Sequence, residues 1–155
     1  MLKEGNISLR LLRRDDLDFL YSIENNLANY QYNEESNHFS KETLSKYISN
    51  AGADIGVYNQ LRFVISFKKK PIGLIDLFDY DRVSRKAGVS ILILEDFRSK
   101  KYGSKALALL ISYSWNYLDL LSLFANIPEE NIKSISLFNK FSFLKKGKFL
   151  YQLDR

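Results

Sequence analysis

The chain has 155 residues, 46% hydrophobic and 26% charged, with 14% aromatic, which is the composition of one folded domain with apolar mass for a sizeable core. The absence of Cys and a single His (His38) exclude disulfides, thiolate metal sites and a Cys nucleophile and leave no zinc site, so no metal is expected. The net charge of +5 favours an anionic partner or cofactor, and apolar runs such as 91–94 and 106–111 fall far short of the ~20 residues of a membrane span, so a cytoplasmic protein is expected.

Ile7, Leu9 and Leu11 alternate with Ser8, Arg10 and Leu12 at the period of a strand. Asp15 and Asp16 then stand where a helix start favours carboxylates, and Leu17, Leu20, Tyr21 and Leu27 follow at near-helical spacing. Residues 25–38 read as a loop or broken helix whose Tyr30, Tyr32, Glu34, Glu35 and His38 are suited to line a polar, substrate-binding pocket. Ser40 opens a second helix as its N-cap, with Glu42 in the first turn; Thr43 holds the place where a full capping box needs Glu or Gln.

Residues 63–67 and 72–78 are apolar runs joined by the basic turn Lys68-Lys69-Lys70-Pro71, a hairpin pattern. Residues 88–94 read as a strand buried on both faces. A helix follows with Ala106, Leu110, Tyr113 and Tyr117 at i, i+4, i+7 and i+11, then a strand over 120–127. Pro128 reads as the first position of a further helix reaching Lys140, and a last strand starts at Phe143. The order β-α-α-β-β-β-α-β-α-β, without repeats or linkers, predicts an α+β layered domain over residues 1–155 with one continuous mixed sheet.

The most informative stretch lies between a buried strand and an amphipathic helix: Arg98, Ser99, Lys100, Lys101, Tyr102, Gly103 and Ser104. Such a junction aims several main-chain N–H groups and a helix dipole at one point, which suits a phosphate group, and the cations add full charges to the amides. It is neither a P-loop nor a dinucleotide fingerprint, which need other glycine spacings. The basic clusters also lack the interleaved stacking motifs of a nucleic-acid binder, so nucleic acid is not expected as a partner.

This stretch resembles the Arg/Gln-x-x-Gly-x-Gly/Ala loop of the GNAT superfamily of acyl-coenzyme A-dependent N-acetyltransferases, with Gly103 matching the last glycine and Lys101 replacing the middle one. A second segment, with Asn131, Ser134, Leu137, Phe138, Lys140 and Phe143, resembles the family's Asn-x-x-Ala/Ser-x-x-Leu-Tyr-x-Lys-x-Gly-Phe motif. The start of the chain and the Pro71-Ile72-Gly73 strand start are also similar to the family, and Leu17 to Asn26, the Asn33-Glu34-Glu35 loop and the stretches Leu74-Ile75-Asp76-Leu77 and Arg85-Lys86-Ala87 most resemble its spermidine/diamine and ribosomal-protein N-acetyltransferase branch.

The resemblance implies a GNAT-like fold, with a central mixed, mostly antiparallel sheet flanked by helices, and acetyl transfer from acetyl-CoA to a primary amine of a small molecule or a peptide amino terminus. It implies a cofactor site at Leu92, Ile93, Leu94, Arg98, Ser99, Lys100, Lys101, Tyr102, Gly103, Ser104, Asn131, Ser134, Phe138 and Lys140. Phe138 stands where the family's acid tyrosine falls, and Gly88 where relatives often carry a glutamate, so Asp76, Asp79 and Tyr102 become the candidates for base and acid. Ser142 replaces a glycine, and the family's final strand is expected to be missing or supplied by a partner in a homodimer. A non-catalytic acyl-CoA-binding module of the same fold is the alternative reading, and the positive net charge argues against a polycationic acceptor.

Overall fold

Alternating apolar positions become strands of a single eight-stranded sheet in a computed structural model that describes residues 2–26, 39–50 and 54–155. The strands are β1 (Leu2–Glu4), β2 (Ile7–Leu11), β3 (Leu61–Phe67), β4 (Lys70–Asp81), β5 (Lys86–Ile93), β6 (Ser122–Asn126), β7 (Leu144–Lys145) and β8 (Leu150–Asp154). They lie in the order β1-β2-β3-β4-β5-β6-β8-β7, antiparallel throughout except for the parallel pair β5–β6.

The described helices are α1 (Leu17–Asn25), α2 (Lys41–Asn50), α3 (Ile55–Tyr58), α4 (Tyr102–Asn116) and α5 (Ile132–Lys140). α4 and α5 cover one face of the sheet, where Ile65, Ile75, Leu77 and Val89 pack with Leu107, Leu110 and Phe138. α1 and α2 cover the other face, setting Leu20, Ile23, Leu44 and Ile48 on Val64 and Leu74. Odd-numbered residues of β3 and β5, with Ile75 and Leu77 of β4, therefore face α4, and Val64, Leu74 and Leu92 face α1 and α2, as the pleat requires; Ile72 and Tyr80, beyond register irregularities near the two ends of β4, fall on the α4 side out of that alternation.

Ser40 caps α2 as expected, its Oγ accepting from the Thr43 N–H at 3.1 Å. Three expectations change. α5 begins at Ile132 rather than Pro128, because the Asn131 Oδ1 accepts from the Ser134 N–H at 3.3 Å and so caps the helix. The last apolar stretch is two strands, not one: β7 turns back through 146–149, and β8 pairs with β6 along its whole length and with β7 at Tyr151 and Gln152. Finally, β5 is not buried on both faces to its end: Ser90 is exposed and residues 91–93 are half-buried.

Candidate active site

β5 and β6 pair at only three positions, Lys86–Ser122, Ala87–Leu123 and Gly88–Phe124, and then part, while β5 continues beside β4 to Ile93. The Leu94 N–H donates to the Ile72 carbonyl at 2.8 Å, which fixes the alternation of the antiparallel ladder. Residues 90 and 92 turn their main-chain groups to β4, and residues 91 and 93 turn theirs into the fork. An extended, amide-bearing chain laid in the fork meets a row of strand donors and acceptors. The Ile93 carbonyl already accepts from Arg98 Nε at 2.8 Å, which ties the basic turn to the strand end.

The fork opens into a cleft of about 1250 Å³ between β5, the turn before α4, and α5. Arg98, Lys101, Lys133 and Lys140 line it against one carboxylate, Glu130, so its field is positive. α4 points its N-terminus here, and Lys101 takes the N-cap in the left-handed region (φ 67°, ψ 11°). The geometry that a glycine would supply is thus kept by a lysine, at a backbone cost of about 1 kcal/mol. At Gly103 a Cβ would meet Leu137, Ile91 and Ile93 side chains only at 3.6–4.0 Å, so protein packing leaves room for a methyl group there. Lys140 Nζ reaches Ser104 Oγ at 3.4 Å and joins α5 to the same turn.

These residues fit coenzyme A: strand amides for an extended arm, then a helix N-terminus and four cations for phosphates. Ile93, Ser99, Lys101, Gly103, Ser104, Asn131, Ser134 and Lys140 all line the cleft, as does Leu92. Lys100 does not; its ammonium lies 5.9 Å from the Phe97 ring centroid. Leu94 does not line it either, and packs on the α1–α2 face. Phe138 is 2% exposed and packs edge-to-face on Phe143 with 4.9 Å between ring centroids, so it supports the cleft from within the core. Tyr102 packs between Phe67 (4.7 Å) and Phe97 (6.5 Å), which places it toward the basic end of the cleft, away from the β5–β6 junction. Tyr30, Tyr32, Glu34 and Glu35 lie outside the described residues.

The opposite face of β4 and β5 carries the other chemistry. Asp76 is gripped bidentately by Arg62, with Nε–Oδ1 and Nη2–Oδ2 both at 2.8 Å, and Arg62 Nη1 also donates to Glu24 Oε1 at 2.8 Å. Ser90 Oγ, on β5, donates to Asp76 Oδ2 at 3.2 Å. The side chains of Arg62, Glu24 and Asp76 are 23%, 13% and 15% exposed, so two carboxylates share one guanidinium away from bulk water. Burial alone would favour the neutral guanidine, but the charge and hydrogen bonds of Asp76 hold Arg62 more firmly protonated than usual. Burial likewise raises Tyr47, whose ring lies 5.6 Å from the guanidinium. Asp79 sits apart, exposed on a β-bulge in the left-handed region (φ 48°). Sequence reading found Asp76 but missed Glu24, Arg62 and Ser90, because four different elements supply the cluster.

A family model described as an acetyltransferase (GNAT) domain matches residues 6–143. The spermidine N(1)-acetyltransferase of Escherichia coli K12 is 26% identical over 147 residues, covering 95% of this chain and 77% of the relative. That of Vibrio cholerae serotype O1 is 26% identical over 148 residues, with coverages of 92% and 82%. Two solved structures share the fold. They are the V. cholerae spermidine N-acetyltransferase in complex with CoA and spermine (TM-score 0.83, 23% identity, 96% and 93% coverage) and a probable acetyltransferase (TM-score 0.84, 21% identity, 98% and 94% coverage). With the forked sheet, the basic turn and the domain match in agreement, the chain belongs to the GNAT acetyltransferase family and is an N-acetyltransferase that uses acetyl-CoA.

Proposed function

We propose that the acceptor is a cationic alkyl amine of the polyamine type, and the observation that carries this is the separation of charge within the molecule. Residues 15–60 hold eight acidic residues against two Lys, whereas residues 98–148 hold nine basic residues against three acidic ones. These two segments carry opposite charge, so the overall excess of +5 does not by itself weigh against a cationic acceptor. The acidic segment contains α1 and α2, which pack on the face carrying Asp76, Glu24 and Ser90. The curated relatives are named for acetylation of spermidine, in line with this reading.

Acetyl-CoA bound in the cleft supplies the activated acetyl thioester and a thiolate leaving group. The main-chain groups of Ile91 orient the acyl arm, and Arg98, Lys101 and the α4 amides hold the phosphates. An amine must lose a proton to attack, and the exposed Ser90 hydroxyl, hydrogen-bonded to Asp76, passes that proton to the carboxylate. Arg62 keeps Asp76 turned toward Ser90, and Tyr102 flanks the cofactor. Phe138 has no proton to give, so thiolate protonation falls to solvent in this reading.

The test is thiol release from acetyl-CoA across a panel of polyamines, monoamines and peptide amino termini, beside thermal shift with acetyl-CoA. Turnover highest with polyamines is expected. Stabilisation by acetyl-CoA without thiol release on any amine would support a non-catalytic acyl-CoA module instead. A V. cholerae relative is dodecameric, and self-association of this chain, checked by light scattering, belongs to the same proposal.

A further inference from the structure

Strand registers set two rows of side chains next to each other on the acceptor face. One row is Arg62 on β3, Asp76 on β4 and Ser90 on β5. The next, two residues along each strand, is Phe78 on β4, Gly88 on β5 and Phe124 on β6. Phe78 and Phe124 meet edge-to-face with centroids 5.5 Å apart, and they do so directly over Gly88. A Cβ on residue 88 would lie 2.4 Å from Phe78 Cζ and 2.8 Å from Phe124 Cζ, so the rings occupy the volume that any side chain there needs.

Both rings are half-buried, and neither belongs to the apolar core on either face of the sheet. They span the last paired position before β5 and β6 part, one row from the Asp76–Ser90 pair. Lys86 closes the far side, its ammonium 5.5 Å from the Phe124 centroid. Across this face the surface therefore runs from carboxylate and hydroxyl, through two aromatic rings, to an ammonium.

We infer that the Phe78–Phe124 pair is the seat for the hydrocarbon part of the acceptor, with the reactive nitrogen at Ser90 and Asp76 and the adjacent methylenes lying across the rings. This rests on the alkyl-amine acceptor proposed above. The rings offer apolar surface to methylene groups, and the Lys86 ammonium, already set against the Phe124 ring, repels a second cation from the far end. The distal ammonium of a diamine therefore turns back toward the acidic α1–α2 side. Gly88 is glycine so that the rings can close over the strand, which also removes any carboxylate from that position.

The test is steady-state acetylation of unbranched diaminoalkanes of increasing length by the wild type and by Phe124→Ala and Gly88→Ala. Loss of contact with about two methylenes should raise the KM for the amine about tenfold in Phe124→Ala, with the KM for acetyl-CoA unchanged. Gly88→Ala pushes the rings off the strand and should move the same constant in the same direction; it carries the test if Phe124→Ala fails to fold. A wild type that turns over while both constants stay unchanged in the folded variants overturns the seat alone. A wild type that releases no thiol with any amine, although acetyl-CoA stabilises it, overturns the acceptor reading and the seat with it.

Discussion

The two faces of the sheet are held by different forces. Among the described residues, the core shared by α4 and α5 contains 21 buried side chains, whereas that under α1 and α2 contains six. The thinner side is fastened by charge instead: Arg10–Asp16 joins β2 to the start of α1, and Arg62 joins α1 to β3 and β4 through Glu24 and Asp76. Apolar packing is indifferent to pH and survives small changes in geometry, whereas a buried ion pair fails outright when one partner is removed. The α4–α5 side should therefore behave as a rigid platform, and the α1–α2 side as the part whose geometry depends on ionisation.

The contrast is tested most severely at Asp76. Replacement by Asn keeps the shape but removes the proton acceptor and leaves Arg62 with Glu24 alone; turnover should fall by roughly 10²–10⁴-fold with acetyl-CoA affinity unchanged. Single-turnover thiol release and a binding titration separate the two quantities. Equal loss in both would make Asp76 a structural residue and erase the distinction between the faces.

Asp16 tests the fastening itself. It is 2% exposed, accepts from Arg10 Nη1 at 2.8 Å and Nη2 at 2.7 Å, and also accepts from the Arg13 N–H at 2.9 Å. Burial alone would raise its pKa, but the hydrogen bonds from Arg10 and Arg13 and the nearby positive charges leave it below the usual carboxylate value. A lowered folded-state value gives stability that is present above the unfolded value of about 3.9 and lost as pH falls through the folded one. Asp16→Asn should cost roughly 3–5 kcal/mol at pH 7, read by thermal or urea unfolding. The gap between variant and wild type should narrow once pH drops below about 4, and a gap that persists there would mean that shape, not charge, holds α1.

On the cofactor side, Arg98→Ala with Lys101→Ala should weaken acetyl-CoA binding about 100-fold, the worth of one or two charge-assisted hydrogen bonds. Thermal stability without ligand should fall by only about 1 kcal/mol, the worth of the hydrogen bond from Arg98 to the Ile93 carbonyl, since the apolar core beneath the turn is untouched. Unchanged affinity would refute the phosphate assignment.

The same contrast governs what could be read from sequence. The basic turn was legible because all its parts are contiguous: Arg98, Lys101, Gly103 and Ser104 announce a strand–helix junction without knowledge of the fold. The α4 period and the β3–β4 hairpin were legible for the same local reason. The charged cluster on the opposite face was not, because Glu24, Arg62, Asp76 and Ser90 meet only through α1 packing and strand register. The signal available was parity: once the strands are aligned, residues 62, 76, 78, 88 and 90 share one face. Register, however, is set by pairing across the sheet, and Gly88 looked like a missing glutamate until two phenylalanines were seen to fill its place. The final strand was hidden because β7 is only two residues long before the turn through 146–149.

The smallest effect concerns the two positions where the chain lacks an expected glycine. Ser142 (φ 69°) and Lys101 (φ 67°) both keep the left-handed geometry, and each bears a side chain that disfavours it by about 1 kcal/mol. Ser142 follows α5 on the cofactor side and lines no part of the cleft, so Ser142→Gly should stabilise the fold by up to about 1 kcal/mol and leave both Michaelis constants alone. Lys101→Gly relieves the same strain but removes an ammonium from the cleft, so any gain in stability should come with weaker acetyl-CoA binding. Thermal unfolding and donor titration on the two variants together separate backbone strain from charge. A Lys101→Gly enzyme that is more stable and binds acetyl-CoA no less tightly would show that the helix N-terminus and the remaining cations suffice, and that this lysine is there for neither reason.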